Sequence, residues 1–306
     1  MTLRPLRTHA ARALLLLTVA FNTQPSAAQS GRAAKPQKNE KTTAAPAPPL
    51  LRRGGTRREV RRLGYGGSVT IYGAPEGSVT IEAWNRAEVE VVADVELQAD
   101  TEEELARLAE LNSFLLDEDY NHVRVLTTGT HDRQFLKRVA RDLPKKLRVM
   151  PWRIDYRVRV PQVCDLEIYT GRGTFTLAGV EGSVRLNAGD GPATMTLAGG
   201  DVEATLRGGP VRVQVPVRSW GGRGMSVRVA GGGDLSVELP ANFSGDVNAD
   251  VLRAGRVENL HPGLAPRERE PSTERSLRAR AGQGGARLSF TLGDGTLRIQ
   301  TESAKP

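Results

Sequence analysis

The chain has 306 residues and a formal charge of +8. Charged residues make up 25% and hydrophobic residues 39%, which excludes a membrane-embedded bundle and a wholly disordered chain. A single Cys excludes a disulfide framework and a Cys-rich zinc site.

The positive charge invites a nucleic-acid or membrane-surface reading, so its location matters. Arg4, Arg7 and Arg12 precede an apolar stretch from Ala13 to Phe21, with Ser26 and Ala28 at −3 and −1 of a cut before Gln29. This is the layout of a secretory signal peptide over residues 1–28, too short in its apolar part to span a bilayer. Residues 29–62 read as a disordered linker, rich in Pro and Ala and ending in Arg52, Arg53, Arg57, Arg58, Arg61 and Arg62. Such a run either tethers the chain to an anionic surface or is a solvated connector. From Leu63 onward, 30 basic residues face 33 acidic ones, so this reading leaves the folded body slightly acidic and argues against nucleic acid as a partner.

Residues 63–303 read as one β-rich domain with a short N-terminal α/β portion. Gly67–Ile71 (GSVTI) recurs as Gly77–Ile81, and Val89, Val91 and Val95 alternate with polar residues as in a half-buried strand. Asp100 or Thr101 can cap a helix whose first turn carries Glu102, Glu103 and Glu104 and whose apolar stripe is Leu105, Leu108 and Leu111. A hairpin follows, turning at Asp117–Asn121, and residues 131–148 allow a short helix ended by Pro144. Ile154, Tyr156, Val158 and Val160 then alternate with Arg153, Asp155, Arg157 and Arg159.

From residue 164 to 240, short apolar–polar alternations are separated by Gly corners of two kinds. Gly171 and Gly189 belong to one kind, Gly179 and Gly199 to the other, and the spacings Gly171 to Gly189 and Gly191 to Gly209 are both 18 residues. A meander has no reason to copy the wording of its turns. A β-solenoid with two corners per coil does, because each coil stacks on its own copy. The expected fold is therefore all-β and of parallel β-helix type, with a β-sandwich as the alternative.

The GSVTI start, Val160–Pro161 leading to the corner at Thr170–Gly173, and the closing Gly284–Leu288 and Gly293–Ile299 resemble the bacterial putative-adhesin family. The resemblance covers about Leu63 to Ser303. It implies an exported β-solenoid-like domain and supplies no catalytic residues. Two stretches depart from the pattern: Pro262–Gly282 and the surroundings of Trp220, each either a disordered loop or a binding feature.

Chemistry-bearing patterns are sparse. His122, His131 and His261 have no second ligand at metal spacing, and Asp117, Asp119, Asn121 and His122 fit a hairpin tip better than a calcium loop. Cys164 reads as a buried thiol. Asp190, Asp201, Asp234 and Asp294 fall near corners, where Asp favours turns. No metal, cofactor or catalytic group is expected. The binding candidates are the exposed row Arg153, Arg157 and Arg159, suited to an acidic glycan or a lipid headgroup, and Trp220, suited to stacking on a sugar or a partner. The expected function is a non-catalytic adhesin-like binding or scaffold role in the periplasm or at the cell surface. Its partner would be an envelope protein or a surface polysaccharide. A regulatory partner in envelope signalling and a glycan-active β-helix enzyme are the alternatives.

Overall fold

The computed structural model describes residues 49–139, 143–267 and 272–302. The chain divides into two units, Met1–Ala47 and Pro48–Pro306, and every described residue lies in the second. The expected signal peptide and linker residues 29–48 lie outside the described residues.

The end of the expected linker is a strand. β1 (Leu51–Arg62) pairs antiparallel with β4 (Glu88–Ala99) along its full length, so the boundary at residue 62 is corrected. Composition misled there because β1 needs no apolar face of its own; it closes the backbone edge of β4 and turns arginines to solvent. With β1 included, residues 49–306 carry 36 basic and 34 acidic residues, which is near neutral rather than acidic.

Between them run β2 (Ser68–Tyr72) and β3 (Val79–Trp84). The expected helix is α1 (Glu102–Leu111): Thr101 accepts a hydrogen bond from the Glu104 amide, and Leu105 and Leu108 are buried. The hairpin is β5 (Ser113–Asp119) and β6 (His122–Thr128), followed by α2 (Arg133–Val139) and β7 (Trp152–Pro161). Strand pairs then alternate: β8 (Asp165–Thr170) and β9 (Phe175–Ala178), β10 (Ser183–Asp190) and β11 (Ala193–Thr196), β12 (Gly199–Gly208) and β13 (Val211–Gln214), β14 (Gly221–Gly232) and β15 (Leu235–Leu239). β16 (Gly245–Val251), β17 (Gly255–Asn259), β18 (Leu264–Pro266), β19 (Ser276–Ala281) and the long β20 (Arg287–Thr301) complete the chain.

The result is one large mixed sheet made of two ladders. The first runs β5-β6-β2-β8-β10-β12-β14-β20-β16-β19-β18 and the second β1-β4-β7-β3-β9-β11-β13-β15-β20-β17. β20 bends at Gly293–Gly295 and serves both. Pairings in the middle are parallel, where a meander would make them antiparallel; antiparallel pairings occur toward the ends. Leu166, Val184 and Val202 stand side by side, so the 18-residue spacing of the sequence is a register in space. Inward residues of both ladders, Ile168, Leu186, Leu206, Val227 and Phe290 against Phe175, Leu177, Met195, Val213 and Ile299, join one hydrophobic cluster.

The corner glycines explain the tight stacking. Gly77, Gly173, Gly191, Gly209, Gly233, Gly295 and Gly255 all have φ between 102° and 154°. A Cβ at Gly191 would collide with the carbonyl of Gly173, one at Gly209 with that of Gly191, and one at Gly233 with that of Gly209. Both the dihedral and the space exclude a side chain.

The ends are built from inserted segments. The stretch Pro262–Gly282, expected as a loop or a binding feature, contributes β18 and β19, which cover the outer edge of β16. Residues 268–271 of it lie outside the described residues. The C-terminal strand β20 is not an end at all, since it lies between β14 and β16 in one ladder and between β15 and β17 in the other.

Two outcomes test this account. Gly191→Ala should cost at least about 2 kcal/mol in chemical denaturation, while Gly221→Ala, whose Cβ meets nothing closer than 3.9 Å, should stay within about 0.5 kcal/mol. Removing residues 287–306 should abolish the cooperative thermal transition seen by circular dichroism. Removing residues 49–62 should lower its midpoint but preserve it.

Candidate functional site

The arginine row is one column of a charge lattice. β4 lies between β7 and β1, and its outward row carries Glu88, Glu90, Asp94 and Glu96. Arg157 pairs with Asp94 at 2.8 Å and Arg159 with Glu90 at 3.2 Å, while Arg153 holds Asp155 at 2.6 Å. From the other side Arg58 pairs with Glu90, Thr56 donates to Asp94 at 2.6 Å, and Arg52 stands 3.6 Å from Glu96. The row is therefore exposed but matched in charge within the sheet, and pairs of this kind add little stability each. Burial alone would raise the Asp155 carboxyl. Hydrogen bonds from Arg153 and from the Ser78 amide and hydroxyl outweigh it and hold Asp155 below the usual carboxylate range.

Trp220 is 5% exposed and belongs to the core. Its indole N–H donates to the Gly200 carbonyl at 3.0 Å. With its ring faces packed and its one donor satisfied, it has no surface to offer a sugar or a partner; this candidate is corrected to a core residue.

The other residues weighed above serve structure. Asn121 Oδ1 accepts from the Gly64 amide at 2.7 Å, and Asp117 pairs with Arg124 at 2.6 Å. Among the described residues no group of three His, Cys, Asp or Glu side chains is placed to hold a metal. Cys164 is buried, and burial with the neighbouring Asp165 pushes its thiol pKa up to about 12, so it stays protonated.

A groove that no single stretch of sequence announces crosses the first ladder beside the corners. It has a volume of about 570 Å³. Its floor includes Gly171 and Gly189, where a Cβ would meet the carbonyls of Pro75 and Gly171. One wall is an outward row in register: Tyr169, Asn187 and Thr205, with Tyr72 before it and Arg228 after it. The opposite wall holds Glu76, Arg172 and Asp190, and Arg207 stands next to Thr205 along β12. Tyr72 and Tyr169 stack on each other at 5.1 Å and 2° between planes, and Tyr169 donates to Glu167 at 2.7 Å. Glu76 and Arg172 pair across the corner at 3.4 Å. The side chains of Asn187, Asp190, Thr205 and Arg207 make no hydrogen bond or ion pair among the described residues, so their donors and acceptors face the groove unspent.

Tyr169, Asn187 and Thr205 are 18 positions apart in the sequence, within strands whose apolar residues alternate. That signal was available; their alignment into one wall follows from the parallel register. Among the described residues no helix is long and apolar enough to cross a membrane.

No family model matches the chain, and no curated protein does. Solved structures match it at very low identity and with TM-scores below 0.5. One is a "putative cell adhesion protein" from Clostridium sporogenes, 10% identical, with 81% of this chain and 100% of that one covered at a TM-score of 0.41. Another is a "putative adhesin" from Bacteroides fragilis, 8% identical, covering 80% and 97% at a TM-score of 0.26. A third is a "putative lipid binding protein" from Parabacteroides distasonis, 10% identical, covering 80% and 96% at 0.22.

The lattice around Asp155 has a measurable pH signature. The Asp155 carboxyl titrates lower in the folded chain than in the unfolded one, so the unfolded chain takes up its proton first as pH falls. The stability it contributes is present above the unfolded value near 3.8 and is lost as pH falls through the folded value. Denaturation curves of the wild type and Asp155→Asn should therefore differ most at neutral pH and converge below about pH 4.

Proposed function

We propose that the chain is an exported, non-catalytic, adhesin-like binding protein whose two parallel ladders are the faces of a β-solenoid. Its working surface is the groove beside the Gly corners, which holds an extended polysaccharide of the cell envelope or surface. The observation that carries this reading is the row of unspent polar side chains, Asn187, Thr205 and Arg207, along a floor kept clear by glycine.

The shape suits a linear ligand, because the groove runs across successive strands about 4.8 Å apart and offers polar groups on each. An extended peptide is less well served. β8, β10 and β12 are paired on both edges, so no backbone ladder is open to an added strand at this place. Export rests on the sequence reading of residues 1–28. The binding rather than catalytic role is supported by the engagement of three of the four corner carboxylates: Asp234 accepts from the Thr296 amide, Asp294 is held by Arg253 and the Ala254 amide, and Asp201 stands 3.7 Å from Arg223, which leaves Asp190 to the groove.

The test is retention of the full chain on immobilised polysaccharide from bacterial envelopes, followed by titration calorimetry. Asn187→Ala combined with Thr205→Ala should weaken binding about tenfold, at roughly 1 kcal/mol or less per lost hydrogen bond. Arg157→Ala, in the self-matched lattice, should leave affinity within about twofold. Equal binding by the double variant and loss with Arg157→Ala would move the site to the arginine row.

A further inference from the structure

The charge of the groove narrows its ligand, on the reading just given that the ligand is a polysaccharide. The charged residues lining the groove are Glu76, Asp190, Arg172 and Arg207, two of each sign. Glu76 and Arg172 already answer each other at 3.4 Å. Asp190 and Arg207 are both exposed and stand on neighbouring strands, with Asp190 Oδ1 beside Gly208, the residue after Arg207. On the wall facing Asp190, Asn187 and Thr205 offer a neutral amide and a hydroxyl.

We infer that the groove takes an uncharged polysaccharide and rejects both acidic and basic ones. A sugar hydroxyl is donor and acceptor at once. It can receive from the Arg207 guanidinium, give to the Asp190 carboxylate, and do both with Asn187 and Thr205. An acidic repeat would bring its carboxylate to Arg207 but also set one against Asp190 and Glu76. A basic repeat would meet Arg172 and Arg207 in the same way. Charges repeated along a polymer cannot avoid the wall residues of their own sign, because the groove spans only a few strands. The stacked tyrosines fit the same assignment. One face of each ring is turned to the other, and the Tyr169 hydroxyl, which donates its proton to Glu167, keeps an acceptor lone pair for a polar neutral ligand.

The experiment is calorimetry of the full chain with three classes of hexasaccharide: neutral (glucan and mannan), uronate (galacturonan) and cationic (deacetylated chitin). A neutral hexamer should bind best, with affinity changing less than about twofold from about 0.05 to 0.5 M salt. Asp190→Asn should shift the ratio of uronate to neutral affinity about tenfold toward uronate. Arg207→Gln should do the reverse and favour the cationic hexamer. Circular dichroism melts check that both variants keep the fold, as expected for exposed side chains without partners.

A wild-type preference for uronate, weakened by salt and lost in Arg207→Gln, would overturn the neutral assignment while leaving the polysaccharide reading intact. Absence of binding by every hexamer, with the chain also failing to be retained on envelope polysaccharide, would overturn the polysaccharide reading itself. Unchanged selectivity in both charge variants would remove Asp190 and Arg207 from the site.

Discussion

The carbonyl of one corner glycine occupies the space that a Cβ on the next would need, and this contact recurs from Gly77 to Gly255. The spacing of the ladders depends on it. Parallel strands hydrogen-bond only near 4.8 Å, so the corner that joins the two ladders must close to the same distance. Gly173, Gly191, Gly209 and Gly233 then donate their amides to carbonyls in the adjacent layer at 3.1–3.2 Å, continuing the hydrogen bonding through the bend. A side chain at one such corner would separate two layers and weaken both ladders together.

The same constraint makes the groove. Gly171 and Gly189 lie just before that column, under the same demand for close approach, and leave a strip without side chains on an otherwise polar surface. Flanking residues with ordinary dihedrals keep their side chains and become walls. The candidate site is thus a by-product of how the layers stack, with its specificity supplied by whichever residues the register sets beside the strip.

Electrostatics follows from strand order rather than from composition. Arg52, Arg58 and Arg62 of β1 and the arginine row of β7 are separated in sequence by some ninety residues or more, yet both flank the acidic outward face of β4. An Arg-rich strand at that position shields the sheet from edge-to-edge association and neutralises Glu90, which is 5% exposed. The positive charge of the chain therefore splits in two: part belongs to the residues before Pro49, and part is absorbed inside the fold.

Local patterns were legible in the sequence wherever neighbours along the chain decide the outcome. Alternation identified the strands, the Thr101 cap and leucine stripe identified α1, and the 18-residue recurrence of the Gly-x-Gly corner matches the register of β8, β10 and β12. Three features were not legible. Residues 51–62 have no apolar periodicity of their own and become a strand because β4 presents an open edge. Trp220 sits among Arg and Gly yet is buried, because Gly200 and the core of the adjacent strands receive it. The last strand ends up inside the stack, between β14 and β16, which no reading of chain order suggests. Sequence determined the two-corner alternation and the outward polar residues, since dihedral freedom and period are local properties. Only the tertiary structure decided which outward residues share a groove and which charges cancel, because both depend on which distant strands become neighbours.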